Sequence, residues 1–300
     1  MRSEERAVEL GIVTPVVNLN PRFEPPAWER DGGIDDIVAV AQAAERLGYR
    51  WVSCPEHVVI PEDVAATRGG RYWDPLATLS YVAASTSAIG LLTHVLVLGY
   101  HHPLEVVKRY GTLDVMSGGR VILGVGVGSL RPEFELLGAP FADRGARADD
   151  ALRAIRASFG RRAPRYAGTH YAYEGVEVDP CGLDRPLRLW VGGRTARSLR
   201  RALELGDGWI PFGLSRHALR ALLETPRLSA ARAARGGRFE VVLAPEPPLD
   251  PLGEPAAAAD ALRAYGAIGA TGLSLRLRSR SRHHYVEQLA ALRELAAEPR

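Results

Sequence analysis

The sequence predicts an α/β protein folded as a (β/α)8 TIM barrel. Short apolar runs alternate with amphipathic helical patterns, eight such strand–helix units can be counted, and 300 residues suits a barrel that forms one domain. Because no Pro/Gly/Ser-rich linker separates two halves, we expect a single domain over residues 1–300. A doubly wound parallel sheet is the alternative arrangement of the same units.

The first four units are regular. Each predicted strand is a short apolar run, and each predicted helix repeats apolar residues at spacings of three and four. The strands are expected at 8–13, 51–54, 89–98 and 120–125, and the helices at 34–47, 75–86, 102–116 and 147–159. Gly48 ends the first helix, and Asp74 followed by Pro75 begins the second.

Residues 160–186 interrupt this alternation. Their Pro, Gly and Tyr content predicts an excursion between the fourth and fifth units, with a short hairpin over 166–178. The alternation then resumes, with strands expected at 187–191, 208–210, 239–244 and 272–277, and helices at 196–205, 215–223, 256–268 and 284–297.

Composition limits the class of protein. With 46% hydrophobic and 24% charged residues the chain can bury a sizeable core, and no run reaches the ~20 apolar residues of a membrane helix. The net charge of +3 suggests nucleic acid, but basic residues alternate with acidic ones and lack clustered aromatics, which argues against it. Without a signal-peptide pattern or a cysteine framework, we expect a cytoplasmic protein that acts on a small molecule.

In such barrels the reactive groups lie at the C-terminal ends of the strands. The fifth strand ends in Gly192, Gly193, Arg194 and Thr195, directly before a helix. Free backbone N–H groups, the helix dipole and the Arg194 charge together suit a phosphate. The alternative is an ordinary strand-to-helix turn that uses glycine for its backbone freedom.

Three other strand ends carry candidate residues. Glu56 and His57 follow the second strand and could share acid/base chemistry, or could simply cap the next segment. His94, within the apolar third strand, is either a core residue or a group of the site.

After the fourth strand, Gly126 and Gly128 flank Val127 and precede Ser129. Alternate glycines let a flat ligand approach the backbone, although the spacing is not that of a dinucleotide or P-loop motif. The paired histidines at 101–102 and 283–284 are interpreted as surface or capping residues. Because neither metal-ligand spacing nor a nucleophile motif is found, we expect a bound cofactor to supply the chemistry.

Several motifs together resemble the luciferase-like monooxygenase superfamily, and within it the branch that uses the deazaflavin coenzyme F420. The resemblance is strong over 8–212 and weak beyond. The motifs lie at 72–76, 86–90, 102–108, 113–120, 123–128, 143–145, 149–152, 190–193 and 206–211.

The resemblance implies a barrel that binds coenzyme F420, or alternatively FMN, at its C-terminal mouth. It implies hydride transfer between F420 and a small organic substrate. The alternatives are an FMN-dependent monooxygenase that uses O2 and a non-catalytic ligand-binding member. Because relatives associate, a homodimer is expected.

The resemblance also assigns residues. A non-prolyl cis peptide would join His94 and Val95 beneath the cofactor ring, the phosphate would lie at 192–195, and Glu56 with His57 would match the family's acidic-His pair. The cofactor-binding set is Thr93, His94, Val95, Gly126, Val127, Gly128, Gly192, Gly193, Arg194 and Thr195, with Ser129 facing the substrate.

The chain departs from the family pattern at four positions. Leu92 and His94 stand where small residues are usual, so a more crowded floor is expected beneath the ring. Ser129 replaces a common tryptophan, and Glu56 replaces a common aspartate.

Overall fold

The computed structural model describes residues 8–235 and 239–297. Within them, eight parallel strands each pair with the next, and the last pairs with the first, so the sheet closes into a barrel. The predicted (β/α)8 barrel is confirmed, and the doubly wound sheet is excluded. The strands are β1 (Glu9–Val13), β2 (Trp51–Cys54), β3 (Gly90–Thr93), β4 (Val121–Gly126), β5 (Arg188–Gly192), β6 (Gly208–Ile210), β7 (Glu240–Leu243) and β8 (Gly272–Leu275).

Each strand is followed by a helix that covers the barrel. These helices are α1 (Ile34–Arg46), α2 (Pro75–Ser85), α3 (Pro103–Met116), α4 (Arg144–Ser158), α5 (Ala196–Leu205), α6 (Arg216–Leu223), α7 (Pro255–Ala267) and α8 (Arg282–Ala297). Additional short helices lie in the loops, at Ala27–Asp31, Glu62–Arg68, Arg131–Leu136 and Pro226–Ala234, with 3-10 turns at Pro21–Phe23 and Leu98–Tyr100. The predicted excursion contains the expected hairpin, in which Tyr166–Ala167 pairs with Ala172–Tyr173.

The third strand differs from the prediction. Instead of one continuous strand over 89–98, β3 ends at Thr93, and Leu96–Val97 pairs separately with β4. The cis peptide that the resemblance implied between His94 and Val95 is confirmed at this break. The apolar pattern could not show this break, because every residue around it is buried in any case.

Side chains alternate between the inside of the barrel and the layer under the helices. The inside is filled by one buried cluster, Trp51, Leu92, Ile122, Trp190, Ile210 and Val242. Within it the Trp51 and Trp190 rings meet edge to face at 5.2 Å. The barrel is therefore a packed core that leaves only its mouth for a ligand. None of the helices described here is long and apolar enough to cross a membrane.

Candidate active site at the C-terminal mouth

Val95 forms the floor of the mouth. Its side chain packs on the barrel's inner cluster, and two glycines make room for it. A Cβ on Gly126 would lie 2.7 Å from Val95 Cγ2, and one on Gly192 would lie 2.9 Å from Cγ1. Leu92 is a buried member of the inner cluster on which Val95 packs, so the crowded floor expected from Leu92 and His94 stays a prediction.

The other candidate residues at the ends of the third and fourth strands make structural contacts within the protein. The Thr93 hydroxyl donates a hydrogen bond of 2.7 Å to the Gly124 carbonyl, which ties β3 to β4. Gly128 has φ +76°, and a Cβ there would lie 2.5 Å from the Phe134 ring. Val127 is half-buried and Ser129 is exposed. The group that approaches the backbone closely at Gly128 is therefore the Phe134 ring.

His57 is held by a carboxylate that sequence reasoning missed. Its Nδ1 lies 2.6 Å from Oε2 of Glu133, which is completely buried in the short helix Arg131–Leu136. The second oxygen, Oε1, accepts hydrogen bonds from the backbone N–H groups of Val58 at 2.7 Å and Val59 at 3.3 Å. Burial alone raises the pKa of Glu133, but the hydrogen bonds from His57 and the backbone outweigh burial and lower it. Glu133 is therefore ionised, and His57 Nδ1–H donates to it.

Glu56 does not pair with His57. Its Oε2 accepts from the Val97 N–H at 2.6 Å, and its Oε1 lies 2.7 Å from His101 Nε2. The interpretation of His101 as a surface or capping residue is wrong, because its side chain is only 13% exposed and pairs with Glu56. Burial lowers the pKa of His101, but the bond to Glu56 outweighs burial and raises it. His102 does cap α3, since its Nδ1 accepts from the Leu104 N–H.

His94 lies in the mouth as a neutral imidazole. Burial, together with the positive charge of Arg276 at the end of β8, lowers its pKa to about 4. Arg276 is a second residue that sequence reasoning missed. The signal that could have revealed it is a lone arginine at an inward position of the apolar eighth strand.

The predicted phosphate corner is an exposed helix start. Thr195 caps α5, where its Oγ1 accepts from the Ser198 N–H at 3.3 Å. Gly193 has φ +122°, and a Cβ on it would lie 2.6 Å from Ser198 Cβ, so the turn requires glycine. Arg194 is exposed, and in the part of the chain described no carboxylate oxygen lies within 4.0 Å of it. The corner thus fits both interpretations: it is a strand-to-helix turn that requires glycine, and it carries an exposed cation that could bind an anion.

A cleft of about 490 Å³ adjoins this corner. It lies between the ends of β6 and β7 and the loop after β1, and an ion pair of 2.7 Å between Arg22 and Glu246 stands on its wall. Gly213 lines the cleft and also lies beside the Arg194 side chain. Gly213 is therefore a common neighbour of the cleft and of the Arg194 side chain at the phosphate corner.

The two cysteines are buried and free. Burial raises the pKa of the Cys54 thiol, and it also raises that of Cys181. Neither thiol is thus suited to act as a nucleophile at neutral pH.

The chain is similar to proteins that use either of two cofactors. An uncharacterized protein of Mycobacterium tuberculosis is 28% identical over 216 residues, 68% of this chain and 74% of the relative. The F420-dependent hydroxymycolic acid dehydrogenase of M. tuberculosis is 29% identical over 180 residues, 59% of this chain and 48% of that protein. The FMNH2-dependent dimethylsulfone monooxygenase of Pseudomonas fluorescens is 24% identical over 231 residues, 76% of this chain and 61% of that protein.

A solved structure and a family model cover almost the whole chain. A monooxygenase from Streptomyces bottropensis superposes with a TM-score of 0.74 at 22% identity, over 95% of this chain and 98% of the other, and so shares the fold. The family model described as luciferase-like monooxygenase matches residues 9–298. The resemblance that the motifs indicated is thereby confirmed: this chain belongs to the luciferase-like monooxygenase family of oxidoreductases and monooxygenases.

Proposed function

We propose that this chain is an oxidoreductase that transfers a hydride between coenzyme F420 and a small organic substrate. The observation that carries the proposal is the pair of His57 and the buried Glu133 at the barrel mouth. Moving a hydride to or from a carbon–oxygen bond also requires a proton at the oxygen, and an oriented histidine can exchange it. The F420-dependent relative supports the choice of cofactor.

The residues at the mouth fit a flat ring with an anionic tail. Val95 offers an apolar floor, and Gly193, Arg194 and Thr195 offer backbone N–H groups, a cation and a hydroxyl for a phosphate. These groups stand on β3 and β5, which flank β4, while His57 follows β2 on the other side of β3. One ligand that spans from β5 to β3 would therefore end beside the proton-transfer group.

The chain's own part in the reaction is to position groups and to move a proton. Glu133 accepts the hydrogen bond from His57 Nδ1, which leaves the lone pair on Nε2. Nε2 takes the proton from the substrate oxygen when the substrate is oxidised, and returns it in the reverse direction. When bound, the deazaflavin supplies or accepts the hydride.

Two alternatives remain. An FMN-dependent monooxygenase that uses O2 is supported by the FMNH2-dependent relative. A non-catalytic ligand-binding protein is supported by His94, whose side chain stands next to the floor residue Val95.

Titration of each cofactor against tryptophan fluorescence tests this ranking. Trp51 and Trp190 lie in the cluster on which Val95 packs, so a ring on the floor is expected to change their emission. We expect F420 to bind, and Arg194→Gln to weaken it by about ten- to a hundredfold, because one charge-assisted hydrogen bond is lost. Arg197→Gln, which replaces an exposed arginine in the first turn of α5 and three residues after Arg194, is the matched control.

Each contrary result selects an alternative. Tight FMN binding without a response to F420 favours the monooxygenase. A folded barrel that binds neither cofactor favours the non-catalytic protein. If Arg194→Gln and Arg197→Gln weaken F420 binding equally, the cofactor phosphate does not bind at the predicted corner.

A further inference from the structure

Arg276 points into the barrel mouth from the end of β8. Alternate residues of this strand face the barrel interior, as Gly272 shows, since a Cβ on it would lie 2.8 Å from the Trp51 ring. Leu273 and Leu275, between them, belong instead to the core under the helices. Arg276 occupies the next inward position after Ser274, at the height where the strand ends and the mouth begins.

The Arg276 guanidinium is held in place without an ion pair. Its Cζ lies 4.6 Å from the centroid of the Phe23 ring. Two acidic side chains are near enough to act on its charge, Glu29 and Glu246, but among the described residues no carboxylate oxygen comes within 4.0 Å of it. Glu246 is already paired with Arg22 at 2.7 Å. A largely enclosed guanidinium thus retains hydrogen-bond donors that no carboxylate within residues 8–235 and 239–297 takes up.

This arginine shares the mouth with the proton-transfer group. The strands β8 and β2 flank β1, and β1 lies across the barrel from β5, where the cofactor phosphate is proposed. The charge of Arg276 reaches His94 and Tyr72, since it lowers the pKa of His94 and opposes the rise that burial gives to the pKa of Tyr72. The Tyr72 ring in turn packs against His57, with centroids 4.6 Å apart.

We propose that the substrate carries an oxyanion, a carboxylate, phosphate or sulfonate, and that Arg276 binds it. The proposal deepens the proposed function and rests on it, because it assigns the β5 side of the mouth to the cofactor and the β8–β1–β2 side to the substrate. A guanidinium fixed by an aromatic ring presents a planar fork that matches two oxygens of one anion. Bound there, the anion would place the rest of a small substrate near His57.

Inorganic phosphate is the probe, and the imidazole NMR signals of His94 report its binding at this side of the mouth. In the full chain we expect phosphate to shift these signals. Arg276→Gln is expected to raise the Kd seen at His94 roughly ten- to a hundredfold, which corresponds to the loss of charge-assisted hydrogen bonds. Arg276→Lys keeps the charge but loses the fork, so it should give an intermediate Kd.

Two matched variants separate this site from its surroundings. Arg278→Gln removes a side chain that is 55% exposed and only two residues away, and it should leave the phosphate titration of His94 unchanged. Arg194→Gln should also leave it unchanged, although it weakens F420 binding. Thermal unfolding of every variant establishes that the barrel remains folded.

Three results would overturn the inference. The first is a wild-type chain in which phosphate does not shift His94. The second is a folded Arg276→Gln variant with an unchanged phosphate Kd. The third is an Arg276→Gln variant that loses F420 binding, because Arg276 would then serve the cofactor. If neither cofactor binds while phosphate still reports on His94 through Arg276, the proposed function fails and the anion site stands.

Discussion

Replacing Glu133 by glutamine should reverse the tautomer of His57, the residue to which we assign proton transfer in the proposed function. In the native chain Oε1 of Glu133 accepts two backbone N–H groups, from Val58 and Val59, while Oε2 accepts from His57. A glutamine amide has only one oxygen. That oxygen satisfies the two backbone donors, so the amide NH2 faces His57 Nδ1.

The consequence follows from the direction of the hydrogen bonds. An NH2 group donates, so His57 Nδ1 must become the acceptor and the ring proton moves to Nε2. The lone pair that would take the substrate's proton is then lost. The opposite amide orientation would keep the tautomer of His57 but leave the Val58 and Val59 N–H groups facing an NH2, and each partly buried donor that loses its partner costs up to about 1–3 kcal/mol. The inverted histidine is therefore the favoured outcome.

The expected magnitude is that of a missing general base. Turnover should fall by about 10²–10⁴-fold, whereas F420 affinity should change little, because Glu133 does not line the β5 corner. In the 15N spectrum of His57, Nδ1 should take the chemical shift of an unprotonated nitrogen and Nε2 that of a protonated one. Glu135→Gln is the matched control, since Glu135 lies on the same short helix with its side chain 63% exposed.

One result would refute this reasoning. If the 15N signals of His57 keep their native pattern in a folded Glu133→Gln variant, Glu133 does not set the position of the ring proton. If Glu133→Gln loses no more turnover than Glu135→Gln does, the kinetics would lead to the same conclusion.

Three other substitutions test single groups of the mouth. His57→Ala should slow turnover by about 10²–10⁴-fold with F420 affinity nearly intact, and unchanged steady-state rates would remove His57 from the mechanism. Arg276→Gln removes a positive charge that disfavours protonation, so an NMR titration should show the pKa of His94 rising from about 4 while burial keeps it below its usual value; an unmoved pKa would contradict the proximity of the two groups. Gly126→Ala should lower the free energy of unfolding by about 1–3 kcal/mol, because its Cβ would meet Val95 Cγ2 at 2.7 Å; urea denaturation with no loss would mean that Val95 can move aside.

The fold could be predicted from the sequence because every unit carries its own signal. Strands such as 208–210 and helices such as 196–205 match the predicted bounds, since glycines and capping residues mark their ends. The start of α4 lies three residues before the predicted 147, because Arg144 follows a loop with no apolar periodicity to mark the boundary. The hydrophobic pattern did not show the break after Thr93, because the residues on both sides are buried, whereas the resemblance did imply the cis peptide between His94 and Val95.

The sequence indicated several candidate residues of the mouth, but not their pairings, and it missed Glu133 and Arg276. His57 and the residues at 192–195 do lie at the mouth, since the barrel brings all C-terminal strand ends together. Glu133 was missed because it belongs to a loop helix, and nothing local in Arg131–Leu136 distinguishes a buried carboxylate from a solvated one. Which carboxylate faces which histidine depends on the packing of loops far apart in the chain.

The two buried carboxylates of the mouth have different tasks, and their partners show which. Glu56 binds the Val97 N–H and His101, and so fixes the backbone that follows the floor residue Val95. Glu133 binds His57, whose ring remains 18% exposed toward the mouth, and so orients a group that a ligand can reach. Glu56 and His57 are adjacent in sequence but take part in separate contacts, because Glu56 faces the third strand while His57 faces the short helix after the fourth. The contacts of the mouth join loops that follow different strands, which is why a pair adjacent in sequence was the wrong pair to expect.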